Sequence, residues 1–256
     1  MNAILIITIF LFGISIGSFL NVIVDRLANH EKITGRSKCS QCGNQLKWYD
    51  LIPIFSFLFL HGKCRYCKKK ISRQYIIIES ITGILITLVF LIQFRNGIIF
   101  NLRNILMFIR NIILILTSIS IFLSDIKYME IIDEIVIPGS FLILILNCII
   151  SKTIGVFLIG GIVGLIFFLL QFVASKEGWV GGGDIRIGFL IGVSFGNIYQ
   201  VFLVIIFGYI LGLIYSIPLL IKKYIKKQKD ISSIIPLGPF LSISSIIMLF
   251  ILTSNK

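Results

Sequence analysis

Blocks of apolar residues, each about long enough to cross a bilayer, recur along the whole of this 256-residue chain. A hydrocarbon core about 30 Å thick takes roughly 20 helical residues to span. The candidate spans are 3–24, 75–93, 105–123, 135–150, 154–174, 185–197, 199–221 and 234–252. A water-soluble domain of this size would not carry 57% apolar and only 14% charged residues, since globular chains average roughly 45–50% and about 25%. The expected fold class is an all-α polytopic membrane protein of about eight transmembrane helices. The first block lacks a basic residue before it and a small-residue cleavage site after it, and Arg26 lies on its far side. It reads as a retained first span with its N-terminus outside.

The net charge of +13 would suit a nucleic-acid partner, but its distribution argues against one. If residues 25–74 are cytoplasmic, alternation puts 124–134, 175–184 and 222–233 on the same side. With Arg186 counted there, that side holds 19 of the 24 Lys and Arg; Arg95, Arg103, Arg110, Lys152 and Lys256 are left over. This is the positive-inside pattern, and it brings attraction to an anionic leaflet. Two details strain the map. The span 185–197 is short, and Arg103 and Arg110 crowd the outer half of the third helix, where they are expected to snorkel. The basic loop KKYIKKQKD, 222–230, reads either as a solvated juxtamembrane loop or as a lipid or partner patch.

Residues 25–74 are the one segment that resembles a soluble insertion. They carry 11 basic residues and four of the five cysteines, broken by the apolar run Ile52 to Leu60. Cys39-Ser-Gln-Cys42 and Cys64-Arg-Tyr-Cys67 are two C-x-x-C knuckles 21 residues apart. A two-residue gap lets both thiolates face one ion, and two such knuckles complete a tetrahedral four-sulfur shell. Lys38, Lys63, Arg65 and Lys68 flank them and favour thiolate. The alternatives are two disulfides, disfavoured in a reducing compartment, or unpaired thiols. With four protein ligands, a zinc ion here would organise the loop and leave no open position for chemistry. Cys148, alone in a span, reads as a small core residue. The chain thus divides into a first transmembrane helix (1–24), a zinc-binding loop (25–74) and a membrane domain (75–256).

Eleven acidic residues are few enough for their placement to be informative. Asp25, Glu31, Asp50, Glu177 and Asp230 fall in loops beside cations, where surface pairing is the default. Glu79 lies just inside the second span. Asp125, Glu130, Asp133 and Glu134 surround the turn between spans three and four, and Asp184 follows Gly181-Gly182-Gly183. Asp125 and Asp184 then sit near helix ends on one side of the membrane, so they can meet at one depth. An ionised Asp within the bilayer costs roughly 2.5–3.5 kcal/mol, which marks it for function. Such a pair can activate a water with one carboxylate and protonate a carbonyl with the other. The glycines would let a substrate backbone or a helix approach closely. The plainer readings are that Asp184 is a helix N-cap and that Asp125 pairs with Lys127.

In order along the chain, several segments resemble the type IV prepilin peptidases, membrane enzymes of the GxGD aspartic protease class. They are Gly17-Ser18-Phe19-Leu20-Asn21-Val22, Trp48-Tyr49-Asp50-Leu51-Ile52-Pro53, Gly62-Lys63-Cys64-Arg65-Tyr66-Cys67, and Ile71-Ser72 with Tyr75 and Glu79. Asp125 with Asp133 is similar to the first catalytic motif of that family, and Gly181-Gly182-Gly183-Asp184-Ile185-Arg186 to its GxGDxK motif. Ile132, Arg186, Ser40, Gln74 and Ile76 depart from the family pattern, and none of them is one of the two aspartates. The resemblance implies that Asp125 and Asp184 are a catalytic dyad. It implies cleavage of prepilins or pseudopilins after a Gly at the cytoplasmic membrane face, with S-adenosylmethionine-dependent N-methylation as a second activity. A basic loop facing a basic leader would repel it unless acids such as Asp50 or Glu79 take part.

Two other classes are set against this reading. An ion-coupled transporter would also use intramembrane acids, though no repeats are visible. A membrane-anchored zinc-ribbon binding module leaves the Gly-Asp motif unexplained. His30 and His61 form no H-E-x-x-H helix, which removes a zinc metalloprotease.

Overall fold

Nine helices account for most of the described residues of the computed structural model, which are 3–95, 97, 101–151, 153–176, 178, 180–226 and 235–254. Glu177, Asp230, Lys152, Lys256 and the basic loop from 227 onward lie outside them. The helices are α1 (Ala3–Ala28), α2 (Phe55–Phe59), α3 (Gln74–Gln93), α4 (Leu102–Tyr128), α5 (Asp133–Ser151), α6 (Ile154–Ser175), α7 (Gly182–Phe195), α8 (Ile198–Lys226) and α9 (Gly238–Ser254). Among the described residues there are no strands, only two isolated bridges in the cysteine loop. Eight of the helices sit where the hydropathy blocks place spans. Six of these are long and apolar enough to cross a membrane unaided. The other two are short: α9 has 17 residues and α7 has 14, or about 26 and 21 Å at 1.5 Å per residue.

The chain forms two compact units, residues 1–100 and 101–256. In the first, α1 lies against α3 because small residues face each other. A Cβ on Gly13 would come within 2.8 Å of the Gly83 Cα, and one on Gly17 within 2.9 Å of the Thr82 side chain. Without a hydrophobic drive between helices in lipid, such close backbone approach is what packs them.

In the second unit the same device is carried further. Gly160 and Gly164 of α6 meet Gly188 and Gly192 of α7 backbone to backbone: a Cβ on Gly164 would lie 2.1 Å from the Gly188 carbonyl. This seam fixes the height of the short helix α7. Its far end stops inside the protein, and its last carbonyls are satisfied by side chains from two other helices. The Arg110 guanidinium on α4 donates to the Ser194 carbonyl (3.1 Å), and the Asn147 amide on α5 donates to the Val193 carbonyl (2.8 Å). A cation at a helix C-terminus also opposes the negative end of the helix dipole. Arg110 therefore does not snorkel: a buried helix end needs a donor there, and the arginine supplies it. Arg103, by contrast, is exposed. Ile115, Ile143, Phe168, Ile187, Leu241 and Leu249 fill the core of this unit.

Candidate functional site

In the first unit the four cysteines come together. Their sulfurs all lie within 4.8 Å of one another, and Cys39 and Cys67 are 4.0 Å apart. No disulfide forms among them. Thiolates at about 2.3 Å from a tetrahedral ion stand roughly 3.8 Å apart, so the cluster needs only a small contraction to close on a metal. The two knuckles are copies of one fold. The Cys39 amide donates to the Asn44 carbonyl and the Gly43 amide to the Cys39 carbonyl; 25 residues on, the Cys64 amide donates to Lys69 and the Lys68 amide to Cys64. Bridges 38–45 and 63–70 close both turns. Gly43 and Lys68 hold the same left-handed position, with φ +69° and +58°. Burial pushes the Cys39 thiol up, but the Gln41 and Cys42 amides and neighbouring sulfurs outweigh it and hold it at about 7. The Asn44 amide lowers Cys42, yet burial and the Cys39 and Cys67 sulfurs push it up to about 11. Four sulfurs this close repel one another as thiolates, so the donor set fits a thiophilic cation.

Two acids of this unit hold the chain's own loop. Asp50 is buried, where a surface pair was expected, and its carboxylate accepts from Arg65 Nε (2.7 Å) and from the Lys47 amide (3.3 Å). Asp50 is the buried residue of the turn Trp48–Leu51, and Arg65 also stacks over Tyr49 (4.8 Å to the ring centroid). Glu79 accepts from the Ile54 amide (2.7 Å) and meets the Ser18 side chain. Asp25 accepts from the Tyr75 hydroxyl (3.0 Å).

In the second unit, Asp125 and Asp184 are both buried, on different helices. Asp125 lies in the last turn of α4, which Met129 ends in a left-handed cap. Asp184 is the third residue of α7, not its N-cap. The cap is Gly181, and its amide donates to Asp184 Oδ2 (3.0 Å). Each residue is 8% exposed, and the Ile131–Gly183 contact with the Asp133–Arg186 pair holds the turn that follows Asp125 beside the head of α7. Asp125 Oδ2 accepts from the Gly238 amide (2.8 Å) at the start of α9, which favours negative charge. A Cβ on Gly238 would lie 2.5 Å from that oxygen. Of the glycine run, only Gly183 is required by packing, because Ile131 occupies the place of its Cβ. Gly181 and Gly182 leave room, with nothing nearer than 3.8 Å. Asp133 pairs with Arg186 (2.9 Å), tying the α4–α5 turn to the head of α7.

Sequence reasoning missed Gly238, the Arg110–Asn147 cap and Tyr209. The Tyr209 hydroxyl donates to Gln171 Oε1 (2.6 Å), a bond from α8 to α6. The only signal for Gly238 was Pro236-Leu237-Gly238-Pro239 before an apolar block, a helix-start pattern.

A family model for the bacterial Peptidase A24 N-terminal domain matches residues 11–93, and one for the type IV leader peptidase family matches 112–217. The relatives are named prepilin leader peptidase/N-methyltransferase. The one from Bacillus subtilis is 29% identical over 247 residues, 93% of this chain and 91% of that protein. The one from Pseudomonas putida is 27% identical over 91% of this chain and 85% of its own length. That of Vibrio cholerae is 47% identical over 73 residues, 25% of this chain but only 29% of the relative. No solved structure matches the chain at a significant level. With one profile over the cysteine unit and the other over both aspartates, the chain belongs to the type IV leader peptidase family.

Proposed function

We propose that the chain is a multi-pass membrane endopeptidase that removes the short basic leader of type IV prepilins or pseudopilins, with Asp125 and Asp184 as its catalytic pair. The observation that carries this reading is a pair of buried aspartates, one at the tail of α4 and one at the head of α7, each fixed by one backbone N–H. An aspartic mechanism needs one proton shared between two carboxylates. One then draws a proton from a water that attacks the scissile carbonyl, and the other donates to that carbonyl's oxygen. The tetrahedral intermediate collapses as the amide nitrogen takes up a proton and leaves. The fixed N–H groups hold the carboxylates in place before substrate arrives, which supplies the orientation term. The room beside Gly181 and Gly182 lets an extended substrate backbone pass close to Asp184.

The cysteine quartet holds structural zinc, since four thiolates in tetrahedral spacing suit that ion. The loop and the dyad face the cytoplasm, as the distribution of Lys and Arg favours. N-methylation of the new N-terminus with S-adenosylmethionine is the second activity, a reading supported by the names of the relatives. The ion-coupled transporter and the zinc-ribbon binding module are not favoured by that membership.

The test is cleavage of a prepilin with a Gly-ending leader, co-expressed in membranes with wild type, Asp125→Asn or Asp184→Asn. Processing by wild type, lost in each variant while the protein stays inserted, is the expected result. Processing that survives either change would remove the mechanism.

A further inference from the structure

Outside the membrane spans, the cysteine loop displays large apolar side chains that the rest of the loop does not cover. Trp48 is 77% and Phe59 80% exposed, and Leu51, Ile52, Phe55 and Leu58 are exposed with them. These six recur at helical spacing, 48, 51, 52, 55, 58 and 59, although the chain breaks at Ile54. On α2, Phe55, Leu58 and Phe59 share one face by the i, i+3, i+4 rule. Phe57 turns the other way, onto Gly62. A monomer in water rarely shows so contiguous an apolar face without a partner.

Where this face sits is fixed by Glu79. Its carboxylate accepts the Ile54 amide and meets Ser18 of α1. Glu79 is five residues, about 7.5 Å, along α3 from its first residue, and Ser18 lies well inside α1. The loop is therefore folded back against the sides of two spans instead of standing off in water. Ile54 itself is held at φ +63°, a conformation that a β-branched residue adopts only when its surroundings impose it. Next to this anchor, Phe19 of α1 and Ile77 and Ile81 of α3 are also exposed, as lipid-facing residues of spans are. The apolar face thus continues the lipid-facing surface. Around it the segment 25–74 carries eleven basic residues against three acidic ones, and Lys47, Lys63, Lys68, Lys69 and Lys70 are exposed.

We infer that residues 48–59 are a monotopic anchor: Trp48, Phe55, Leu58 and Phe59 lie in the headgroup–acyl boundary of the leaflet where α1 ends and α3 begins, with the surrounding lysines on its anionic headgroups. An apolar face rimmed with lysine and carrying a tryptophan is the chemistry of an interfacial element. Charge and continuity with the spans favour lipid over a protein partner. The metal-bound knuckles then ride on the membrane surface at a set height.

The chain has two tryptophans, so Trp179→Phe leaves Trp48 as the reporter in full-length protein. The protein is reconstituted in phosphatidylcholine vesicles with or without phosphatidylglycerol. The acyl chains are brominated near the headgroup, and acrylamide is the aqueous quencher. The expected result is quenching several-fold stronger by bromolipid than by acrylamide, and stronger still with the anionic lipid. Leu58→Ser with Phe59→Ser reverses that preference while bound metal is retained; should that variant lose its metal, the reporter protein alone decides. Trp48 open to acrylamide and untouched by bromolipid in both vesicles would overturn the inference. Shielding that appears only on adding a prepilin would also overturn it, and would assign the face to a protein.

Discussion

The first unit gathers its cysteines by local means: two turns of identical hydrogen bonding, each closed within a few residues. The second unit gathers its aspartates by distant ones. Asp125 is fixed by Gly238, and the head of α7 is set by a glycine seam with α6 and by the Arg110 and Asn147 caps at its far end. The knuckles fold alike because the short motif K-C-x-x-C is written twice, and their four sulfurs are spaced to hold a cation. The aspartates need no added group to be placed, but they need every packed neighbour to be small or correctly capped. The first region should therefore be sensitive to metal and tolerant of remote changes, and the second the reverse.

The largest effect expected from this contrast is metal removal. Binding in small zinc domains is worth about 10 kcal/mol or more. Chelation, or Cys39→Ser, should release the ion and open residues 38–70 to limited proteolysis. Prepilin cleavage should stay close to the wild-type rate, and its disappearance along with the metal would break the separation of the two regions. Next comes Gly238→Ala, whose methyl would collide with the Asp125 carboxylate. Misplacing a reacting group by about 1 Å costs on the order of 10²-fold, so kcat should fall by about that factor with the protein still inserted. Gly155→Ala, where nothing lies within 4 Å of the added carbon, is the matched control and should leave kcat unchanged. Arg110→Met removes a charged donor from a buried carbonyl, at a cost of about 1.5–3 kcal/mol. It should lower thermal stability in detergent and leave metal content untouched. The smallest effect is in the knuckles. Lys68→Gly relieves a left-handed residue by about 1 kcal/mol and should slow metal loss slightly, whereas Gly43→Lys should speed it.

What the sequence made legible follows the same division. The C-x-x-C spacing contains all the geometry of a knuckle, and the hydropathy blocks contain the spans. The carboxylates at span ends could be placed because charge is so costly in lipid. The partners of those carboxylates could not. The bond from Gly238 to Asp125 and that from Arg110 to Ser194 join segments whose own periodicity says nothing about each other. Arg110 in an apolar block has an ordinary reading, snorkelling, that only a buried helix end overturns. Asp50 was misjudged for a related reason: a basic neighbourhood does not reveal that a single helical turn folds the carboxylate inward. The glycines at 160, 164, 188 and 192 were in view, and their four-residue spacing is the signal that would have paired α6 with α7.

Whether Asp125 and Asp184 act as one unit is tested most directly by comparing kcat for Asp125→Asn, Asp184→Asn and the double variant on one prepilin substrate. Groups that perform one step together are strongly non-additive. Each single change should lower kcat by about 10³-fold or more, as expected for loss of acid–base catalysis, and the double variant should be no slower than the slower single one. Losses that multiply, or a single variant that keeps most of its rate, would contradict a shared aspartic site.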